Sequence, residues 1–465
     1  MTFTSLTFFV FFALVFILYW LLKERERQNL FLLLVSYVFY FWFDLLFGLL
    51  LIASSAADFV LARGMAGRPE RRKTFLWLSL ALNLGGLVLL RHFDFFAGSL
   101  QILLNFLGLN INPQILAPLG ISFFTLKKLS YCIDVYKGTE KPADHFVDYA
   151  LFVAFFPQIQ AGPIDRARSL LAQIRRPRSW KADWFNTAWP LLVSGLFKKI
   201  VIASGIGFYV NRIFVLDQPG SILLVWAASL AYAVQILADF SAYTDLSRGF
   251  ALLLGFETPE NFKRPYASLT PTEFWNRWHI TLSYWLRDYI FFPLRRILLR
   301  AGSSAAPLAA ILPPLAAMLV SGLWHGAGWT FLLWGAMHGL WIVIYQLLGL
   351  GGAWQPQRLW TRAAAWLAVM AFLTASWAVF RAPSLGWLWE VLTRSPLIGS
   401  QDHLVITLIT LSAAGFYSLL WNSHLLLEKF QERIPILQPL FYAAAVLLTI
   451  IYTNPGLNDF IYFRF

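Results

Sequence analysis

Two histidines stand inside one apolar stretch, "SGLWHGAGWTFLLWGAMHGLWIVIY", at residues 321–345. They are His325, set between Trp324 and Gly326, and His338. An imidazole in apolar surroundings needs partners for its ring nitrogens, because an unpaired polar group there costs a few kcal/mol. Such a ring is either a satisfied part of a protein interior or a chemical group. A third histidine, His279, falls in "TPTEFWNRWHITLSYWLRDYIFFPL" at residues 270–294. An isolated buried histidine reads first as packing, but a second one in an apolar context shifts the balance. Ionisable groups at membrane depth are usually functional.

The chemistry open to such a pair is general-base catalysis. A neutral imidazole can take the proton of a hydroxyl as its oxygen attacks an activated acyl group. A thioester donor is already activated, so neither metal nor ATP is required at the site. A second donor, from His279 or a backbone N–H near Gly326, can stabilise the developing oxyanion. The sequence has no Gly-rich phosphate loop ending in Lys-Ser/Thr, no Gly-x-Ser-x-Gly turn and no His-Glu-x-x-His helix. The usual signatures of phosphoryl transfer, serine hydrolysis and zinc proteolysis are therefore missing.

Other polar residues have plainer readings. Asp239 and Asp245 with the histidines are conceivable cation ligands, but Asp245 has Arg248 three residues on, which is a simpler helical ion pair. Asp239 with Ser241 fits a local hydrogen-bonded turn, and no metal is expected. His338 lies 13 positions after His325, about 220° round a helix. The two cannot share a face unless the helix breaks, so His338 is expected in the wall. The single cysteine, Cys132, permits no internal disulfide and reads as packing.

The elements that must hold these residues are membrane helices. Hydrophobic residues make up 58% of the 465 and charged residues only 13%, against about a quarter charged in soluble domains. Apolar runs at 5–22, 75–90, 305–323, 361–380 and 437–452 reach the length a bilayer requires. The expected class is all-α and polytopic, with roughly ten to twelve spans in a single membrane domain, 1–465, whose histidine-bearing core is about 115–345. The N-terminal run lacks a basic flank and a small-residue cleavage site, and is expected to be a retained first span. The net charge of +13 comes in short knots such as "KERER" and "RPERRK". That pattern fits cytoplasmic retention of Lys and Arg better than a nucleic-acid footprint.

Four segments carry finer expectations. Residues 28–62 suit two short helices around Asp44. The run 115–136 contains Lys127, Lys128 and Asp134, so it cannot face lipid over its full length. Residues 145–165 enter as a helix and end in a Pro/Gly-rich turn. In the histidine segment, Thr270-Pro271-Thr272-Glu273 is a helix start signal. A helix over 272–290 would group Trp275, Trp278, His279, Leu282, Trp285, Leu286, Tyr289 and Ile290 on one face. Glu273, Asn276, Arg277, Thr281, Arg287 and Asp288 would fall opposite. Such an aromatic amphipathic helix suits an interface or a protein interior more than a lipid-crossing path.

The segments "ENFKRPYASLTPTEFWNRWHITLSYWLRDYIFFPL" and "GLWHGAGWTFLLWGAMHGL" together resemble the membrane-bound O-acyltransferase family. The similar branch contains alginate O-acetyltransferases and the D-alanyl transfer protein of teichoic acid. "FFPQIQAGPIDR", "DFSAYTDLSRGFALLLGF" and the closing "NDFIYFRF" extend the resemblance over most of the chain. It implies spans partly ringed by tilted or horizontal helices around a tunnel. It implies that His325 is the catalytic base and His279 the second functional histidine, with Trp324, Asn276 and Asp239 lining the substrate site. The donor implied is acetyl-CoA or another acyl thioester, with no bound cofactor. The implied partners are an exported polysaccharide and an extracytoplasmic serine-hydrolase-like acyltransferase, at a bacterial inner membrane. The chain departs from the alginate type at Arg295-Arg296, where a Gly-Gly turn is usual, and at Ala242, where glycine is common. D-alanyl transfer from a carrier protein is the alternative within the class. A polytopic transporter is the rival outside it.

Overall fold

In the computed structural model the chain is helical, with no strand among the described residues. The structure describes residues 1–93, 95, 96, 105, 118, 120–216, 220–302, 306–351, 354–430, 434 and 436–453, so the closing "NDFIYFRF" lies outside them. Among the described residues, eight helical stretches are long and apolar enough to cross a bilayer: Leu45–Gly67, Pro69–His92, Ala182–Phe214, Ile222–Leu253, Ala306–His325, Trp329–Leu347, Leu359–Arg381 and Gln401–Ser423. Two shorter apolar helices, Leu6–Leu21 and Leu437–Tyr452, bring the set to the lower end of the expected range. The protein is an all-α, multi-pass membrane protein. Its contacts divide into two compact units, residues 1–192 with 243–260 and residues 193–242 with 261–465.

In the first unit, helix boundaries follow local capping chemistry. Ser5 caps Leu6–Leu21 by accepting the Phe8 N–H at 3.2 Å, and Asp44 caps Leu45–Gly67 by accepting the Phe47 N–H at 2.9 Å. Asp44 thus separates Arg25–Phe41 from Leu45–Gly67, at the break its residue type suggested. Phe8 and Phe12 pack 4.9 and 4.6 Å from Phe250, and Phe39 lies 5.7 Å from Phe156. These rings supply much of the apolar interior.

Helix Ile121–Lys137 is buried over most of its length, and its two adjacent lysines find separate partners. Lys128 Nζ lies 3.5 Å from Asp58 Oδ2. Asp58 also accepts from Ser79 Oγ at 2.6 Å and from Asn83 Nδ2 at 2.8 and 2.9 Å. Lys127 Nζ donates to Gln158 Oε1 at 3.1 Å, and Gln158 Nε2 donates to Asp165 Oδ2 at 2.5 Å. Gln158 and Asp165 belong to the Pro/Gly-rich turn after helix Phe146–Ala154. That turn stays buried because its polar groups serve the charged helix beside it. Cys132 is buried with Sγ 3.6 Å from Asp58 Oδ1, a packed thiol.

The second unit holds the histidines. Helices Ala306–His325 and Trp329–Leu347 form a tight hairpin. A Cβ on Gly335 would come 2.4 Å from the Met318 carbonyl oxygen, so the approach requires glycine there. Arg295, Arg296 and Arg300 are exposed along helix Phe292–Arg300, and Arg358 and Arg362 are exposed at the start of Leu359–Arg381. The 20 residues of Ala306–His325 rise about 30 Å from this arginine-rich end, leaving His325 near the opposite one. There, the short helix Leu385–Thr393 is tied down by a Trp387 Nε1–H bond to the Leu216 carbonyl at 3.1 Å.

Candidate active site

The segment carrying His279 starts as its sequence signals. Thr270 Oγ1 accepts the Glu273 N–H at 3.1 Å, and Glu273 Oε2 accepts the Leu269 N–H at 2.7 Å, a reciprocal cap. The expected helix over 272–290 is, however, interrupted. Helix Pro271–Trp275 ends, His279 adopts a left-handed backbone (φ 43°, ψ 53°), and a new helix runs Ile280–Leu286. The reason is tertiary. Asn261 accepts the Ile280 N–H through its carbonyl at 3.0 Å, and through Oδ1 the Thr281 N–H at 3.1 Å and hydroxyl at 3.0 Å. Lys263 N–H donates to the Arg277 carbonyl at 2.9 Å. The 261–263 strip takes the backbone groups that a continuous helix would have used internally. The predicted division of faces still holds for most residues: Trp275, Trp278, His279, Leu282, Trp285 and Leu286 are buried, while Asn276 and Arg287 are exposed. Thr281 departs from it, buried by its bonds to Asn261, and Tyr289, Ile290, Glu273, Arg277 and Asp288 are only half-buried.

His279 and His325 come together on one side chain. The Trp324 ring lies 5.6 Å from His279 and 4.9 Å from His325, edge-on to both. His325 is the last residue of its helix and is 2% exposed. Trp334 and Phe380 also stand edge-on to it, at 5.1 and 5.2 Å. Phe240 packs on His279 at 4.7 Å. Burial pushes the His279 imidazole down to about 3, so the ring is neutral in ordinary buffers. Gly326 keeps the corner after His325 narrow, since a Cβ there would meet the Phe331 ring at 2.3 Å.

The other candidates take distinct places. Asp239 is buried and salt-bridged to Lys199 at 2.7 Å, one residue before Phe240. Ser241 Oγ bonds the Ala238 carbonyl at 3.4 Å, and Arg248 lies 3.9 Å from Asp245. Asn276 lines a cavity of about 220 Å³ with Trp275, Arg287, Met318 and Gln346. Among the described residues, no group of three His, Cys, Asp or Glu is placed to hold a metal ion. The helix breaks at residues 326–328, and Trp334 then touches both His325 at 5.1 Å and His338 at 4.6 Å. His338 is wall, but wall that adjoins the site. Trp334, Phe380 and Lys199 escaped sequence reasoning. Phe380 lies 55 positions beyond His325, and nothing local marks it. Lys199 sits in a π-helical turn whose register only the structure supplies.

Fold and site define a helical membrane protein with two buried histidines sharing one tryptophan. Residues 143–351 match the model of the MBOAT, membrane-bound O-acyltransferase family. The chain is 35% identical over 440 residues to a probable alginate O-acetylase of Pseudomonas putida, covering 89% of this chain and 87% of that one. A peptidoglycan O-acetyltransferase of Helicobacter pylori is 31% identical over 82% of this chain and 77% of its own. A teichoic acid D-alanyltransferase of Bacillus subtilis is 26% identical over 55% of this chain and 65% of its own. The chain belongs to the membrane-bound O-acyltransferase family, and it is an O-acyltransferase.

Proposed function

We propose that the protein moves an acyl group, acetyl in the preferred reading, from a cytoplasmic thioester to hydroxyls of an exported polysaccharide such as alginate. His325 is the general base, and His279 is the neutral donor that stabilises the oxyanion. The observation that carries this is the joint packing of both imidazoles on Trp324. A base and a donor held on one rigid indole suit an acyl-transfer centre, where proton removal and charge stabilisation must coincide. Trp324, Asn276 and Asp239 line or brace the substrate path. The relatives that act on alginate and peptidoglycan support acetyl transfer to a polymer.

Direction is argued from charge. The positive-inside rule assigns the Arg295, Arg296, Arg300, Arg358 and Arg362 end of the second unit to the cytoplasm. His325 then lies toward the opposite face, where an exported acceptor and an extracytoplasmic serine-hydrolase-like partner would meet it, in a bacterial inner membrane. A substrate reaches so enclosed a ring by displacing a side chain around it. Besides Trp324, Trp334 and Phe380 stand edge-on to it.

The test is incubation of purified protein with radiolabelled acetyl-CoA, alginate and the partner, wild type against His325→Ala. Label on the polysaccharide or on a partner serine is expected from the wild type and is lost in the variant at unchanged melting temperature. Unfolding of the variant would make His325 structural. The D-alanyltransferase relative supports a second reading, D-alanyl transfer from a carrier protein. Replacing the donor with a D-alanyl carrier thioester decides between the two.

A further inference from the structure

In the first unit, cations and indoles gather at the C-terminal end of helix Leu6–Leu21. Residues 23–27 and 175–181 together hold seven Lys and Arg against two carboxylates. The two segments abut, since Arg25 Nη1 donates to the Arg175 carbonyl at 3.1 Å. Arg25 and Arg27 pair with Glu26 and Glu24 at 3.4 and 3.0 Å, and Arg175 pairs with Glu140 at 3.4 Å. Lys23, Arg176 and Lys181 are exposed, and among the described residues no carboxylate lies within ion-pairing distance of them.

The loop that carries two of these cations is held in place. Arg178, 9% exposed, donates from Nε to the Tyr19 hydroxyl at 2.7 Å. Its Nη1 donates to the Gln173 and Ile174 carbonyls at 3.2 and 3.1 Å, and its Nη2 to Asn29 Oδ1. A buried guanidinium thus pins residues 175–181 to helices Leu6–Leu21 and Arg25–Phe41. A pinned loop keeps its cations at set positions, which a ligand can use and which mere retention of charge in the cytoplasm does not require.

Three indoles adjoin the cations. The Trp180 ring lies 5.6 Å from Trp20, 6.3 Å from Trp184 and 5.2 Å from Phe16. Lys181 Nζ lies 5.6 Å from the centre of the Trp184 ring, and Trp180 is 41% exposed. Along helix Leu6–Leu21, Val10, Leu14, Ile17, Leu18 and Leu21 form an exposed apolar face. Apolar track, indole belt and cations follow one another as acyl chain, interface and phosphate do in a phospholipid.

We propose that Trp20, Trp180, Trp184, Lys23, Arg176 and Lys181 form a docking surface for an anionic phospholipid of the cytoplasmic leaflet. Charge complementarity selects the headgroup. A zwitterionic lipid brings an ammonium group that the three cations repel, whereas phosphatidylglycerol brings a net negative charge. Free phosphate would satisfy the cations and leave the indoles and the apolar track without a role.

The experiment measures binding to purified full-length protein in neutral detergent, by native mass spectrometry and thermal unfolding. The probes are phosphatidylglycerol, phosphatidylcholine and inorganic phosphate. The wild type is expected to hold phosphatidylglycerol about tenfold more tightly than phosphatidylcholine, and to gain melting temperature from it but not from inorganic phosphate. Arg176→Gln with Lys181→Gln is expected to bring the lipid preference close to one. The preference is a ratio within each protein, so a change in stability alone does not move it. Arg295→Gln with Arg296→Gln, an exposed basic pair in the second unit, is expected to keep the wild-type ratio. A wild type without preference, a 176/181 variant that retains it, or a 295/296 control that loses it equally overturns the surface. Inorganic phosphate that protects as well as phosphatidylglycerol also overturns it and leaves only an anion site.

Discussion

The indole of Trp334 stands edge-on to the imidazole of His325, with centroids 5.1 Å apart and planes at 89°. It also touches Phe380 at 5.3 Å and Trp377 at 6.2 Å, so it joins helices Trp329–Leu347 and Leu359–Arg381 beside the proposed base.

Truncating that contact is expected to reach both stability and rate. Trp334→Ala should cost about 3–5 kcal/mol of stability and lower acetyl transfer, whereas Trp334→Phe should retain most of the fold. Thermal unfolding in detergent beside a transfer assay checks this. Equal melting temperatures for the two variants would contradict the packing role.

His279 should tolerate only residues at ease in the left-handed region. Its φ of 43° is accessible to asparagine and strained for a β-branched side chain. His279→Val is expected to be less stable than His279→Asn by about 1–2 kcal/mol. Both remove the imidazole, so both should transfer acetyl poorly. Denaturation midpoints of the two variants, measured side by side, settle the order.

The buried His279 ring also ties stability to pH. Its ordinary value near 6.5 falls to about 3 because burial disfavours the charged form. Between these values the unfolded chain binds a proton that the folded chain refuses. The stability is therefore fully present above 6.5 and drains away as pH falls toward 3. At pH 5 the loss should be about 2 kcal/mol. Relative to His279→Asn, the wild type should lose its stability advantage by that amount between pH 7.5 and 5. A gap that stays constant would show that the ring titrates alike in the folded and unfolded chain.

Asp58 and Lys128 offer a double-mutant test in the first unit. Their side chains are 0% and 2% exposed and lie 3.5 Å apart. Removing one charge strands the other, so Asp58→Leu or Lys128→Met alone should cost about 3–5 kcal/mol. The double variant should recover part of that loss. Strict additivity would mean that the pair does not interact.

Composition and local chemistry in the sequence already determined the membrane class, the apolar runs at 5–22, 75–90, 305–323, 361–380 and 437–452, the break at Asp44 and the helix start at Thr270. Apolar runs must leave water, Ser5, Asp44 and Thr270 cap because their oxygens reach nearby N–H groups, and Lys127 and Lys128 cannot face hydrocarbon. These effects act within a few residues and can be read without neighbours. The tertiary structure alone decided that the helix at 272–290 breaks at His279, because Asn261 claims the backbone groups that would have continued it. It alone brought Phe380 to His325 and paired Lys199 with Asp239. It also placed His338 one ring from the site, because the turn at 326–328 resets the helical phase on which the sequence argument relied.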